Sequence, residues 1–555
     1  MSALTRLPHF LLVAVLAVIG AACGGSAAES GGNGTLAGRA SPDTTVFYKT
    51  IGEPEQLDPG FVMESEGGEV LATTFERLLN FNPEDMTLQP GVATSWTVSD
   101  DGLTYTFRLR PDAKWSDGVA ITAHDFEYSW LRALAPETGS EVASLLWKIE
   151  GAEAYTKSTP ENRAAAREAV AIEAANDSTF RVRLVHPVAY FDRYAAFAQL
   201  SPVPRHVIEE HGEQWSRPEN MVSNGPWTVT EWATQQRIVA ERNPHYWNAE
   251  AIPFDRVEYL IAQANMAQWN MFEAGQVDIL NRVPQTFIPR LRREQPPAFH
   301  EGPFLATYFY MFNVNEPPVD DVRVRRALNL AVDKSKIGTF VLKGGQDPGE
   351  GPTHPLLAGM GYTPPEAPAF DPQQARTLLA EAGYPGGEGF PPLKISYNTL
   401  ESHKAVAEFV QQEWSKNLGV NVELENMEWK VFLDANREGD FQIARRGWIP
   451  GILDPKELLD IWKGDEPVNV SGWANARFDA LLEESDRTVD QEARLELLAE
   501  AERVWLEDAP GITLYYYRQH NMVQPWVDGF AENMLAAYPT RHFSIRTTAP
   551  ALASQ

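Results

Sequence analysis

His403-Lys404-Ala405-Val406-Ala407-Glu408-Phe409-Val410-Gln411-Gln412-Glu413-Trp414-Ser415-Lys416-Asn417-Leu418 is followed by Gly419 and then by Val420-Asn421-Val422-Glu423-Leu424. Ala405, Val406, Phe409 and Val410 recur at helical spacing and give the first segment one apolar side. Gly419 sits where a helix closes in the left-handed region, which glycine adopts without a Cβ clash. Val420, Val422 and Leu424 then alternate as a strand. Upstream, Asp371-Pro372 offers an N-cap residue with proline at the first helical position, and Gly383 ends that helix. Helix followed promptly by strand, repeated over several hundred residues, predicts mixed α/β domains.

Moving toward the C-terminus, Phe441-Gln442-Ile443-Ala444-Arg445-Arg446-Gly447-Trp448 reads as a short strand. It runs into the Gly/Pro-broken loop Ile449-Pro450-Gly451-Ile452-Leu453-Asp454-Pro455. Such a strand delivers arginine and tryptophan to a loop, where side chains are free to meet a ligand. Arginine reads carboxylates with its fork, and tryptophan offers a flat apolar wall. Taken alone, the run is also compatible with an edge strand carrying solvated arginines and a core tryptophan. Parity puts Arg445 on one face and Arg446 on the other, facing solvent. Asp490 to Leu506 is a long helix, and Thr513 to Tyr517 an aromatic strand.

Toward the N-terminus, Leu103, Tyr105, Phe107 and Leu109 alternate with polar residues after the turn Asp100-Asp101-Gly102. One face of that hairpin strand belongs in a core and one in water. Thr122 with Asp125 approximates a capping box, which opens a helix through Phe126, Tyr128 and Trp130.

A chain of 555 residues exceeds one core and implies two or three domains. A net charge of −29 excludes a nucleic-acid-binding surface, which needs a basic stripe. With 16 Trp, 17 Tyr and 26 Phe the chain is too aromatic to be disordered.

The motifs Leu88-Gln89-Pro90-Gly91-Val92-Ala93, Trp96, Tyr105 to Arg110, Trp115-Ser116-Asp117-Gly118 and Thr122 to Phe126 occur in order. Ser201-Pro202-Val203-Pro204, Asn224-Gly225-Pro226-Trp227, Arg242 to Trp247, Asp321 to Leu328, Leu378 to Tyr384 and Gly419 to Val422 follow. This collinear set resembles the oligopeptide/dipeptide-binding proteins of bacterial ABC importers over about Thr45 to Arg546, the oligopeptide branch most of all.

The resemblance implies an α/β, three-lobed periplasmic-binding-protein-like fold whose ligand cleft closes by hinge motion. It implies a lobe I from residues 44–77, 198–302 and 518–555, a lobe II from 78–197 and a lobe III from 303–517. It implies a ligand-binding set of Trp429, Trp448, Arg445, His403, Asn313 and Tyr516. Arg445 and His403 would meet the carboxylate end of a peptide, Asn313 its backbone, and the strand Tyr515-Tyr516-Tyr517 would wall the hinge side. Three positions depart from the pattern. Gly451 stands where an aspartate would anchor the ligand ammonium, Asn436 where a second arginine would lie, and Val142 where a cleft tyrosine would lie. Asp454 is the candidate replacement for the missing aspartate.

The N-terminus reads as an export signal, with Arg6 before the apolar run Phe10 to Ile19. It leads into Gly20-Ala21-Ala22-Cys23, and Cys23 is the only cysteine. This resembles a bacterial lipoprotein signal (residues 1–22) with Cys23 lipidated, although Gly20 stands where leucine is usual. An ordinary cleaved signal peptide is the alternative. Residues 23–43 are then a flexible tether, spanning on the order of 25 Å, at the outer face of a membrane.

Enzymatic patterns fare worse. The histidines of His206-Val207-Ile208-Glu209-Glu210-His211 are five apart, which puts them on different helix faces. The Gly31-Gly32-Asn33-Gly34 cluster follows no strand and cannot cradle phosphate. No metal, cofactor or catalytic residue is expected. The expected partners are a peptide or peptide-like ligand and a permease with separate ATPase subunits, served by a monomeric, lipid-anchored protein outside the cytoplasm or in the periplasm. The same fold binding a sugar or metal chelate is an alternative, and a secreted hydrolase is another.

Overall fold

The computed structural model describes residues 45–546 apart from Met63, Ala189 and Pro467. The expected signal peptide, Cys23, the expected tether and the last nine residues lie outside the described residues.

The helix that opened the reading runs Glu401–Leu418. His403, Val406, Ala407, Val410, Trp414 and Leu418 are buried along one stripe, and Gly419 closes the helix at φ 72°. The following strand, Val422–Met427, pairs in parallel with Leu393–Asn398. The earlier helix is Pro372–Glu381, whose first amides are capped by Asp371. Asp490 likewise caps Gln491–Asp508. The predicted hairpin strand is Thr104–Leu109, with Tyr105, Phe107 and Leu109 buried. Thr122 N–H donates to Asp125 Oδ2 at 2.7 Å at the start of Ala123–Leu134.

An eleven-stranded mixed sheet runs through most of the molecule. Two long antiparallel strands, Phe299–Phe312 and Gly511–Val523, form its middle. On one flank, Ile443–Trp448 pairs with Phe299–Phe312 and leads on to Leu393–Asn398 and Val422–Met427. On the other, Ile279–Leu280 leads to Val46–Ile51, Arg256–Ile261, Arg237–Arg242 and Trp227–Ala233. A separate four-stranded sheet contains the predicted hairpin.

The two long strands do not pair evenly. Their register shifts between Pro303 and Thr307 and again between Tyr308 and Phe309. A shift interrupts the ladder and strengthens the local twist. Separate cores form on either side. One holds Tyr308, Tyr310, Val406, Val410 and Trp414. Another holds Leu305, Phe309, Trp462, Leu498 and Trp505. The largest packs Phe47, Trp130, Phe180 and Trp227.

Candidate functional site

A cavity of about 770 Å³ lies between the two flanks of the sheet. One wall is the helix Ser65–Thr74, which contributes Glu69 and Thr73, with Asn281 and Arg282 beside it. The opposite wall includes Tyr515 and Tyr517 of the long C-terminal strand, together with Ser402 and Ile449.

Behind Tyr517 the sheet assembles a cationic and aromatic cluster. Register sets Arg445 opposite Tyr310 and Gly447 opposite Tyr308. Residues two apart share a face, so Arg445 reaches across the Tyr308 ring, 4.8 Å from its centroid. Arg445 Nη2 donates to Tyr517 Oη at 2.8 Å, and Nη1 lies 3.5 Å from Asn398 Oδ1. Tyr308 stacks on Tyr515 at 4.5 Å. None of these partners is a carboxylate, and among the described residues Arg445 Nε has no acceptor. The guanidinium thus keeps an unspent capacity for an anion in a largely dry setting, where ion pairing is strong.

His403 lies 5.5 Å from the Tyr308 ring. Burial, and then the charge of Arg445, push its imidazole down to about 3, so it is neutral at physiological pH. Among the described residues its Nδ1 has no partner. It can offer a hydrogen bond to a ligand rather than a charge.

The remaining expected residues scatter. Trp448 is half-buried at the end of its strand, with its indole N–H unpartnered among the described residues. Trp429 is 51% exposed at the start of Trp429–Glu438 and stacks on Phe432. Asn313 ties down its own strand end, with Nδ2 donating to Gly439 O at 3.1 Å and Oδ1 accepting from Asn315 N–H at 3.2 Å.

Three expectations are corrected. Tyr516 points away from the cavity: its hydroxyl accepts from the Glu350 and Gly351 amides and donates to Thr353 O at 2.9 Å. Strand alternation makes Tyr515 and Tyr517 the cavity-facing pair. Asp454 is buried in a bidentate pair with Arg494, at 2.8 and 2.9 Å, and also caps Pro455–Leu459. Its oxygens are committed, so it does not replace an acid at Gly451. Gly451 itself faces Phe197, whose ring would stand 2.9 Å from any Cβ there. Arg446 is half-buried rather than solvated, with Nη2 3.4 Å from Val468 O.

Sequence reasoning missed Tyr308 and the wall formed by Ser65–Thr74, and within the strand Tyr515-Tyr516-Tyr517 it singled out Tyr516 rather than Tyr517. Parity with Arg445 across the sheet could have found Tyr308. Only the assembled cleft brings in the helix.

The family model for bacterial extracellular solute-binding proteins, family 5, matches residues 87–469. The chain belongs to that family. It is 36% identical over 531 residues to the periplasmic oligopeptide-binding protein OppA of Escherichia coli, covering 92% of this chain and 95% of that one. It is also 36% identical over 508 residues to the E. coli protein named "Probable deoxycholate-binding periplasmic protein YgiS", covering 88% and 91%. Its fold is similar to the solved E. coli murein tripeptide binding protein MppA, with a TM-score of 0.79 and 31% identity, covering 91% and 99%. The periplasmic-binding-protein-like α/β architecture accordingly holds for this family 5 chain, and its role is that of an extracytoplasmic solute-binding component.

Proposed function

We propose that this protein captures a peptide or peptide-like carboxylate for an ABC importer whose permease and ATPase are other chains. The observation that carries the reading is Arg445, held between Tyr308 and Tyr517 without a carboxylate partner beside the cavity. The relatives named for oligopeptides support a peptide. The register shifts at Pro303–Thr307 and Tyr308–Phe309 support lobe boundaries near 302/303 and 517/518, with the long strands as the hinge. Contacts made only in the closed state would bias that hinge toward closure. Cys23 would carry the lipid, and the protein would act as a monomer. No helix among the described residues is long and apolar enough to cross a membrane.

Native mass spectrometry before and after denaturation tests the reading. A stoichiometric copurifying peptide or carboxylate supports it, and a sugar or metal chelate overturns it. The likeness to the protein named for deoxycholate favours a second reading, in which a non-peptide carboxylate takes the same place. Intact mass of the membrane fraction tests the lipid at Cys23.

A further inference from the structure

The whole chain carries 76 acidic against 47 basic side chains, yet the cavity inverts that balance. Its described lining holds three arginines, Arg77, Arg282 and Arg518, and one carboxylate, Glu69. Glu69 is ion-paired with the buried Lys49. Arg282 is paired with Glu66 at 2.8 Å, and Arg518 with Glu301 and Asp347, each at 3.3 Å.

Arg77 differs from the other two. It is 5% exposed and donates to a neutral acceptor, Asn80 Oδ1, at 2.6 Å. Among the described residues its Nε has no acceptor. The adjacent Glu76 carboxylate is taken by Arg541 Nη1 at 2.6 Å and by the Tyr246 hydroxyl at 3.2 Å. A buried guanidinium with a neutral partner is an incompletely satisfied cation, and an incoming anion relieves it. Burial first, and then the nearby Arg541 charge, push Arg77 down to about 10, so it remains charged at neutral pH.

A free ligand amine has the opposite need. It requires an available carboxylate, and the one carboxylate in the described lining already faces Lys49. Other acceptors there are neutral: Asn281 Oδ1 and Gln346 Oε1 are buried without partners among the described residues. Amide oxygens suit neutral N–H or O–H donors, whereas an ammonium beside Arg77, which has no carboxylate partner of its own, would meet repulsion.

We propose that the cavity selects anionic ligands lacking a free amine, and that Arg77 is a ligand-binding residue receiving an anionic group across the cleft from Tyr515 and Tyr517. The inference rests on the reading above. Its shared chemistry is a carboxylate with neutral hydrogen-bond donors, supplied either by an amino-blocked acidic peptide or by a hydroxylated carboxylate amphiphile.

Calorimetry on the full chain, stripped of copurified ligand, tests it with Glu-Ala-Ala-Ala, its N-acetyl form, the N-acetyl Gln-Ala-Ala-Ala analogue, deoxycholate and deoxycholate methyl ester. The acetylated glutamyl peptide should bind at least as tightly as its free-amine parent. Replacing its glutamate by glutamine should cost about tenfold, as for loss of a charged hydrogen bond. That tenfold difference should vanish in Arg77→Met. A free-amine parent that binds tenfold more tightly overturns the proposal, and so does a glutamate preference that persists in Arg77→Met. Should Arg77→Met not fold, the ligand series on the unaltered protein still decides the charge preference. Deoxycholate binding while every peptide fails removes the peptide reading alone. Retention of the methyl ester at full affinity would then overturn the charge preference as well.

Discussion

Removing the Asp454 carboxylate separates a structural acid from a ligand-binding one. The Asp454 and Arg494 side chains are 4% and 1% exposed and share two hydrogen bonds. Asp454→Ala leaves the Arg494 guanidinium over the Tyr190 ring, 5.1 Å from its centroid, with its counter-charge gone. Stranding one partner of a buried pair costs about 3–5 kcal/mol. The Asp454 cap to the Lys456 amide, 2.9 Å long, is lost too. With the cap worth ~1 kcal/mol, the total is about 4–6 kcal/mol. Urea unfolding followed by tryptophan fluorescence reads this as a much lower midpoint. The double variant Asp454→Leu/Arg494→Met removes both charges and should recover a large part of the loss. Titration of the folded single variant with ligand should give an affinity within about threefold of the unaltered protein, since a 1.4 kcal/mol change is already tenfold. A variant that unfolds normally yet loses ligand would refute the assignment and return Asp454 to the cleft.

Arg445→Met should lower affinity for a carboxylate ligand by about 2–5 kcal/mol, read by calorimetry, and an unchanged affinity would count against the site. Tyr516→Phe should cost about 1–3 kcal/mol of stability in urea by stranding the Gly351 and Glu350 amides, with affinity intact. Tyr517→Phe should instead alter affinity by freeing Arg445, so the reverse pattern would show that the strand's parity is misassigned. Burial pushes His354, His520 and His542 down to about 4, and His403 to about 3. The unfolded chain takes up those protons first, near pH 6.5, so their contribution is complete above that pH and lost as pH falls toward 4. Glu457 and Glu502, which burial pushes up to about 7, act in the opposite sense and lose their contribution as pH rises through 7. Urea midpoints should therefore rise from pH 4.5 to 6.5, and rise more steeply in Glu457→Gln/Glu502→Gln, where the opposing carboxyl contribution is gone; a midpoint that falls over that interval would contradict the balance.

Local order was legible where local physics decides it. The stripe through Val406 and Val410, the Gly419 closure and the Asp371 cap depend on residues within a few positions of one another. The alternation around Phe107 is legible for the same reason. Arg445 was singled out by the collinear family resemblance, since its type, parity and neighbouring loop also fitted a solvated edge strand.

Other decisions need distant parts of the chain. Parity says that Tyr516 and Tyr517 face opposite ways, but not which way the cavity lies. That follows from pairing with Phe299–Phe312, whose register shifts beside these residues. Asp454 looked available because its partner, Arg494, lies 40 residues away and meets it only through packing. Arg77 carried no sequence signal at all. Its importance comes from a cavity wall that places it there and from Glu76 being taken by Arg541, 465 residues along the chain. By itself the sequence determined the fold class, because helix stripes, caps and strand alternation are short-range, and its collinear motifs carried the resemblance to the family. The tertiary structure alone decided which charges are paired and which are left without a counter-charge, because ion pairs and burial are set by neighbours in space.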